Sequence, residues 1–258
     1  MTGSIGCIAL FDLDGTLVRP GSPLQRAHMD AMAAAIAAAT GTRETFVYRG
    51  GELFYREVNL AGFTDAGTVR AALVLAGLSD DEADLRLPRV IADMVERLDR
   101  VPLPRAGRAD DLLPGAREVL EGLRDAGFEL GMSTGNARAV ARWKMSAAGL
   151  ADLLDDGGFG DTAVHRDDVA RAGVATLATG GTPRGVLVGD TVRDVTAAHA
   201  AGLPCLAVTT GAADAGELLA AGADAVLPGL SDRAVETLVR LCSPADSPAD
   251  ALTHPNGS

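Results

Sequence analysis

An α/β fold, built on a doubly wound parallel sheet and carrying an inserted all-helical cap domain, is predicted by three features of the sequence. Ile5–Phe11, Phe128–Met132, Gly185–Val188, Pro204–Val208 and, more weakly, Ala223–Leu227 are short apolar runs without polar alternation. That is the pattern of strands buried on both faces of a parallel sheet. From about residue 112 these runs alternate with helical patterns, the order that βαβ units require. Between the first run and the rest, residues 19–108 carry helical patterns alone.

The elements follow in chain order. After the first run, Ser22-Pro23 reads as an N-cap with proline at the first helical position, opening an Ala-rich helix that stops near Gly41. Thr64-Asp65 and Ser79-Asp80-Asp81-Glu82 open two more helices, with acid in the first turn where it suits the helix dipole. Gly77 is placed to end the first of these, and Pro88 is expected to break or restart the second. Val101 to Pro114 reads as the return linker. Helices are then expected over Ala116–Ala126, Ala137–Ala148, Asp167–Leu177, Val195–Ala201, Ala215–Ala221 and Asp232–Leu241. This divides the chain into a core of residues 1–18 and 109–242, a cap of residues 19–108, and a polar tail over 243–258 expected to be disordered.

Composition narrows the function. The 258 residues are 47% hydrophobic, enough for one large domain or a core with an insert, and the formal net charge is −12. So acidic a chain argues against a nucleic-acid partner, which needs an excess of Lys and Arg. No apolar stretch is long enough to span a bilayer, so a membrane partner is not expected either. Cys7, Cys205 and Cys242 lack metal-site spacing and read as buried core thiols in a cytoplasmic protein. Of the 23 basic residues only Lys144 is a lysine.

Three strand ends carry chemistry. Asp12-Leu13-Asp14-Gly15-Thr16 follows the first strand directly. Residues two apart on an extended chain point the same way, so both carboxylates can face one site at the carboxyl end of the sheet, where open α/β sheets place their ligands. Paired acids this close call for a cation, and Mg²⁺ is suited to one or two carboxylates plus a substrate phosphate. Ser133-Thr134-Gly135-Asn136 follows the second sheet strand and opens a helix, which offers a hydroxyl and free N–H groups to a phosphate. Gly189-Asp190-Thr191-Val192-Arg193-Asp194 repeats the strand-then-acid pattern. Taken singly, each motif has a plainer reading as residues capping or opening a helix, evenly balanced only for the second.

Together, in this order, the motifs resemble those of the haloacid dehalogenase-like (HAD) hydrolase superfamily, over residues 5–241. The insert resembles the mobile cap of the subgroup that includes phosphoglycolate phosphatases and phosphomutases. The resemblance implies a Rossmann-like core and a Mg²⁺-dependent phosphatase acting on a small phosphorylated metabolite. Asp12 would be the nucleophile and Asp14 the acid and base. Asp12, Asp190 and the backbone carbonyl of Asp14 would hold Mg²⁺, with Asp194 behind them. Thr16, Thr134, Gly135, Asn136 and Arg166 would meet the substrate. The family's lone cation is either Lys144 or Arg166, and the rarity of lysine here favours Lys144. Phosphomutase or phosphotransferase activity is the alternative within the family, and a non-catalytic phospho-acceptor the alternative outside it. Carbon–halogen cleavage does not fit, because its first motif lacks the second acid. Arg43, Tyr48, Arg49 and the turn Gly62-Phe63-Thr64-Asp65 are the cap residues expected near the substrate, while substrate identity and oligomeric state stay open.

Overall fold

The computed structural model describes residues 6–49, 52–102, 111–154, 156–161, 163–178 and 184–243. Most of the return linker and the tail beyond Ser243 lie outside the described residues.

Six parallel strands form the main sheet: β1 (Ile8–Phe11), β5 (Glu129–Thr134), β6 (Gly157–Phe159), β7 (Gly185–Gly189), β8 (Cys205–Val208) and β9 (Ala225–Leu227), in the order β6-β5-β1-β7-β8-β9. β1 is central and wholly buried, as its unbroken apolar run requires. It pairs Phe11 with Met132 of β5 on one side and with Val188 of β7 on the other. That register brings the residues after β1, β5 and β7 to one rim, where the chain's progress across the sheet changes direction. Five strands match the apolar runs. β6 was not anticipated, because Gly157-Gly158-Phe159 has no apolar run. Its glycines are required by close approach: a Cβ on Gly158 would lie 1.8 Å from the carbonyl oxygen of Val169.

Six helices follow the core strands or precede them: α4 (Ala116–Asp125), α5 (Arg138–Ala148), α6 (Arg166–Leu177), α7 (Val192–Ala200), α8 (Ala215–Ala220) and α9 (Asp232–Cys242). All six overlap the expected spans, and α7 begins three residues earlier because Thr191 and Asp194 form a capping box.

The insert is not all-helical, which corrects the sequence reading. It contains α1 (Pro23–Thr40), α2 (Asp65–Leu75) and α3 (Asp80–Asp99), and also an antiparallel sheet of β2 (Phe46–Arg49), β3 (Glu52–Tyr55) and β4 (Val58–Asn59). The caps at Ser22, Thr64 and Ser79 accept the N–H groups of Gln25, Gly67 and Glu82, as expected. β2 and β3 put Phe46 opposite Tyr55, their rings 5.2 Å apart over the cap core. α3 runs unbroken through Pro88. The residue is exposed, so the carbonyl that loses its donor can turn to water.

Cys7 and Cys242 are joined in a disulfide that ties the start of β1 to the end of α9, and Cys205 is a free buried thiol. The expectation of three core thiols therefore holds for Cys205 alone, and cysteine usage no longer argues for a reducing compartment. No helix among the described residues is long and apolar enough to cross a membrane.

Candidate active site

Asp12 is the first residue past β1, its N–H donating to the Val188 carbonyl at 2.9 Å, so its carboxylate is fixed at the sheet rim. The chain then folds back on itself: the N–H groups of Thr16, Leu17 and Val18 all donate to the Leu13 carbonyl. Gly15 sits at φ +94°, and a Cβ there would lie 2.3 Å from Asp190 Oδ2. Gly211 is equally constrained, its Cβ position falling 1.8 Å from the same oxygen. Both glycines make room for the Asp190 carboxylate.

Asp12, Asp190 and Asp194 are buried, and their carboxylate oxygens lie within 4.8 Å of one another. Burial pushes Asp12 up to about 7, with Arg166 opposing and Asp194 and Asp14 adding to the rise. Burial, then Asp12 and Asp194, also raise Asp190 well above the usual carboxylate range. These acids cannot all ionise comfortably without a cation between them.

Asp194 is already committed. Its Oδ2 accepts from the Thr191 N–H at 3.1 Å and hydroxyl at 2.7 Å, and its Oδ1 accepts from Arg166. It is therefore held in place beside Asp12 and Asp190. Thr16 differs from expectation: its hydroxyl donates to Asp190 Oδ1 at 3.0 Å, so it orients a carboxylate and is not free for substrate.

Both candidate cations are at the site, and neither is a solvated helix charge. Arg166, the first residue of α6, is buried with Nη2 3.1 Å from Asp12 Oδ1, and also bonds Asp194 and the Ser133 carbonyl. Burial works against its charge, but Asp194 and Asp12 outweigh that and hold the guanidinium firmly protonated. Lys144 projects from the buried face of α5 and is fully buried, its Nζ 2.5 Å from Asp14 Oδ2. Asn136 Nδ2 donates to the same oxygen at 2.9 Å. The lysine favoured for the phosphoryl seat thus meets Asp14, and the arginine meets Asp12. Burial alone would raise Asp14, yet Lys144 and then His28 bring it below the usual range.

Thr134 is buried at the end of β5, its Oγ1 accepting the Asn136 N–H at 3.2 Å and keeping its own proton to donate. Gly135 has no room for a side chain, since a Cβ would lie 2.7 Å from the Phe63 carbonyl oxygen.

The cap closes over this rim. The N–H groups of Asp65 and Ala66 donate to the carbonyls of Gly135 and Gly160 at 2.6 and 2.9 Å. Asp65 Oδ2 in return accepts the Ala137 N–H at 2.7 Å and lies 3.2 Å from His28 Nε2. Arg193 stacks its guanidinium 4.3 Å over the Phe63 ring and donates to the Ala61 carbonyl. A pocket of about 120 Å³ between cap and core includes Asp12, Asp14, Asn136, Arg166 and Asp190 from the core, and His28, Met32, Leu60, Phe63 and Thr68 from the cap. A larger pocket of about 970 Å³ shares Gly62, Phe63 and Arg166 with it. The Gly62–Asp65 turn reaches the site as expected. Arg49 does not, being paired with exposed Glu57 on the hairpin. Arg43 lines neither pocket, and the Tyr48 side chain lies outside the described residues. Sequence reasoning missed His28, since one histidine on an Ala-rich helix carries no motif.

Comparison with known proteins agrees with this geometry. Residues 8–202 match the haloacid dehalogenase-like hydrolase family. A phosphoglycolate phosphatase of Cupriavidus necator is 34% identical over 250 residues, covering 95% of this chain and 96% of that protein. Another from Agrobacterium fabrum is 29% identical, over 80% of this chain and 82% of its own. The crystal structure of a predicted phosphatase from Clostridium acetobutylicum has the same fold, with a TM-score of 0.62 at 19% identity, and covers 92% of this chain and 100% of its own.

Proposed function

The chain belongs to the haloacid dehalogenase-like hydrolase family and is a phosphoric monoester hydrolase, and we propose that it acts on a small phosphorylated carboxylic acid of the phosphoglycolate kind, with Mg²⁺ as its metal. The observation that carries the chemistry is the convergence of Asp12, Asp190 and Arg166 at one rim of the sheet.

The residues fit a divalent cation. Asp12, Asp14, Asp190 and Asp194 face two cations, Arg166 and Lys144, which leaves two negative charges uncompensated in a buried site. An all-oxygen donor set of this charge suits Mg²⁺, held by Asp12, Asp190 and the Asp14 carbonyl. When bound, the ion neutralises charge on the phosphoryl oxygens and on the nucleophile.

In this reading Asp12 attacks phosphorus in line and becomes an aspartyl-phosphate. Asp14 gives its proton to the leaving oxygen and then takes one from the attacking water. Thr134, the amides after it and Arg166 donate to the phosphoryl oxygens, which stay negative throughout. The compact pocket favours a substrate of a few heavy atoms beyond the phosphate, and Met32, Leu60 and Phe63 give its cap side apolar surface. We take residues 19–108 as the cap and residues 1–18 with 109–242 as the core.

A turnover screen over phosphorylated metabolites, with and without Mg²⁺, tests the reading. Phosphoglycolate is expected among the best substrates, and Asp12→Asn should abolish turnover while leaving the melting temperature close to wild type. Full turnover by folded Asp12→Asn, or transfer of the phosphoryl group to a second sugar hydroxyl in place of water, would refute it.

A further inference from the structure

We propose that Lys144 is a positioning residue for Asp14, and that with Asn136 it clamps Oδ2 so that Oδ1 is the oxygen that moves the proton. The inference rests on the phosphatase reading and deepens it. Asp14 Oδ2 receives both the Lys144 ammonium at 2.5 Å and the Asn136 amide at 2.9 Å. Oδ1 of the same carboxylate is buried and has no hydrogen-bond partner, while Asp14 lines the pocket between core and cap. A buried acceptor without a partner is costly unless something arrives to satisfy it. A leaving oxygen or a water would do so.

The division of labour between the two cations supports the assignment. Arg166 already occupies the nucleophile's side, on Asp12 and Asp194. Lys144 is fully buried, as is Val140 one turn before it on α5, and Asp14 is its ion-pair partner. An ammonium so placed is retained only with an acid to pair, and a compact point charge suits a single oxygen, where a guanidinium fork would seek two.

The free Asp14 carboxylate is paired with Lys144, so Oδ1 first takes a proton from water as the substrate's phosphate brings its own negative charge beside it. As an Asp12 oxygen bonds to phosphorus, the bond to the leaving oxygen breaks with its electron pair, and that oxygen takes the proton from Oδ1. Water then bonds to phosphorus and passes a proton to Oδ1, and the Asp12–phosphorus bond breaks to restore the carboxylate. Clamping Oδ2 keeps Oδ1 aimed at the same point in both halves.

The test is leaving-group dependence in the Mg²⁺-loaded full chain, comparing p-nitrophenyl phosphate, whose phenolate leaves without a proton, with the alkyl phosphate the screen selects. Losing a proton carrier's alignment should cost the alkyl ester about a hundredfold in kcat/KM, at the lower end of general acid–base contributions. The aryl ester should lose less than about tenfold in kcat/KM, since its first step needs no acid. Lys144→Met should also release a burst of p-nitrophenolate near one equivalent per enzyme, because the water step still needs Oδ1. Asn136→Ala, which keeps the ion pair, should show the same selective loss at smaller size and decides the matter if Lys144→Met does not fold. Equal losses on both esters with no burst would make Lys144 a phosphoryl contact and overturn the inference, as would no loss on either. A wild-type protein that hydrolyses neither ester would instead refute the phosphatase reading on which it rests.

Discussion

Replacing Arg166 with methionine should cripple the enzyme and destabilise its metal-free form, more so at higher pH. The side chain is buried against Asp12, Asp194 and the Ser133 carbonyl, and methionine fills much of its volume without charge. Stranding a buried charge costs roughly 3–5 kcal/mol. Asp12 can escape part of this by taking a proton, because burial already pushes it up to about 7, which favours the lower end. For a chain of this length each kilocalorie moves the melting temperature by about 2–4 °C, so a fall of roughly 6–12 °C is expected in chelator at about pH 8. The pH direction follows from the same group. A carboxyl whose folded value lies above its unfolded one supplies stability below the unfolded value and loses it as pH rises through the folded value. Without Arg166 the folded value of Asp12 climbs further, so the loss continues past neutrality and the gap to wild type widens with pH. Differential scanning fluorimetry in chelator, at about pH 5.5 and about pH 8, measures both terms. Turnover should fall by about a hundredfold or more, as when a donor to a developing anion is removed. A variant melting within a degree or so of wild type at the higher pH, or with near-normal turnover, would refute the placement of Arg166.

Two further outcomes are expected. Mg²⁺ should raise the wild-type melting temperature more at about pH 8 than at about pH 5.5, because protons on Asp12 and Asp190 compete with the ion; an equal shift at both would place the ion elsewhere. Reduction, or Cys242→Ser, should lower the melting temperature by several degrees, since the bond closes a loop of 235 residues; an unchanged melting temperature in reductant would show that the link contributes no stability.

Much of the fold is legible because a strand buried on both faces must be apolar throughout, which marks Ile8–Phe11 and Gly185–Val188 without help from any relative. The same rule hides β6, whose residues were chosen for the space they leave below α6. The β2–β3 hairpin could have been read: Phe46-Val47-Tyr48-Arg49 and Glu52-Leu53-Phe54-Tyr55 are strand-forming segments flanking Gly50-Gly51, a turn dipeptide of hairpins. Capped helices on both sides made a wholly helical reading the simpler one. Pro88 shows the opposite error, since a breaker stops a helix only when the freed carbonyl cannot find water.

At the site, the acids are legible and their partners are not. Asp12, Asp14 and Asp190 follow strands in sequence, so backbone direction alone assigns them to one rim. The cations come from helices that reach the rim from elsewhere, and which carboxylate each meets is a matter of tertiary packing. Composition marked Lys144 as unusual, but the reason lies in the surroundings. An arginine at that position would bring a planar fork and additional donors into an apolar wall where Asp14 offers one clamped oxygen. At position 166 the demand is different: Asp12 Oδ1, Asp194 Oδ1 and the Ser133 carbonyl all meet Nη2 of one buried guanidinium, which keeps its charge where a buried lysine readily gives up its proton. The arginine that bridges nucleophile and backing acid, and the lysine that holds the proton carrier, are therefore not interchangeable. The cap adds the remaining condition, since Asp65 and Phe63 shut the pocket against the same loop that supplies Thr134 and Asn136. Closure, phosphate binding and alignment of Asp14 thus share residues 133–137, and a substrate that seats its phosphate there meets all three at once.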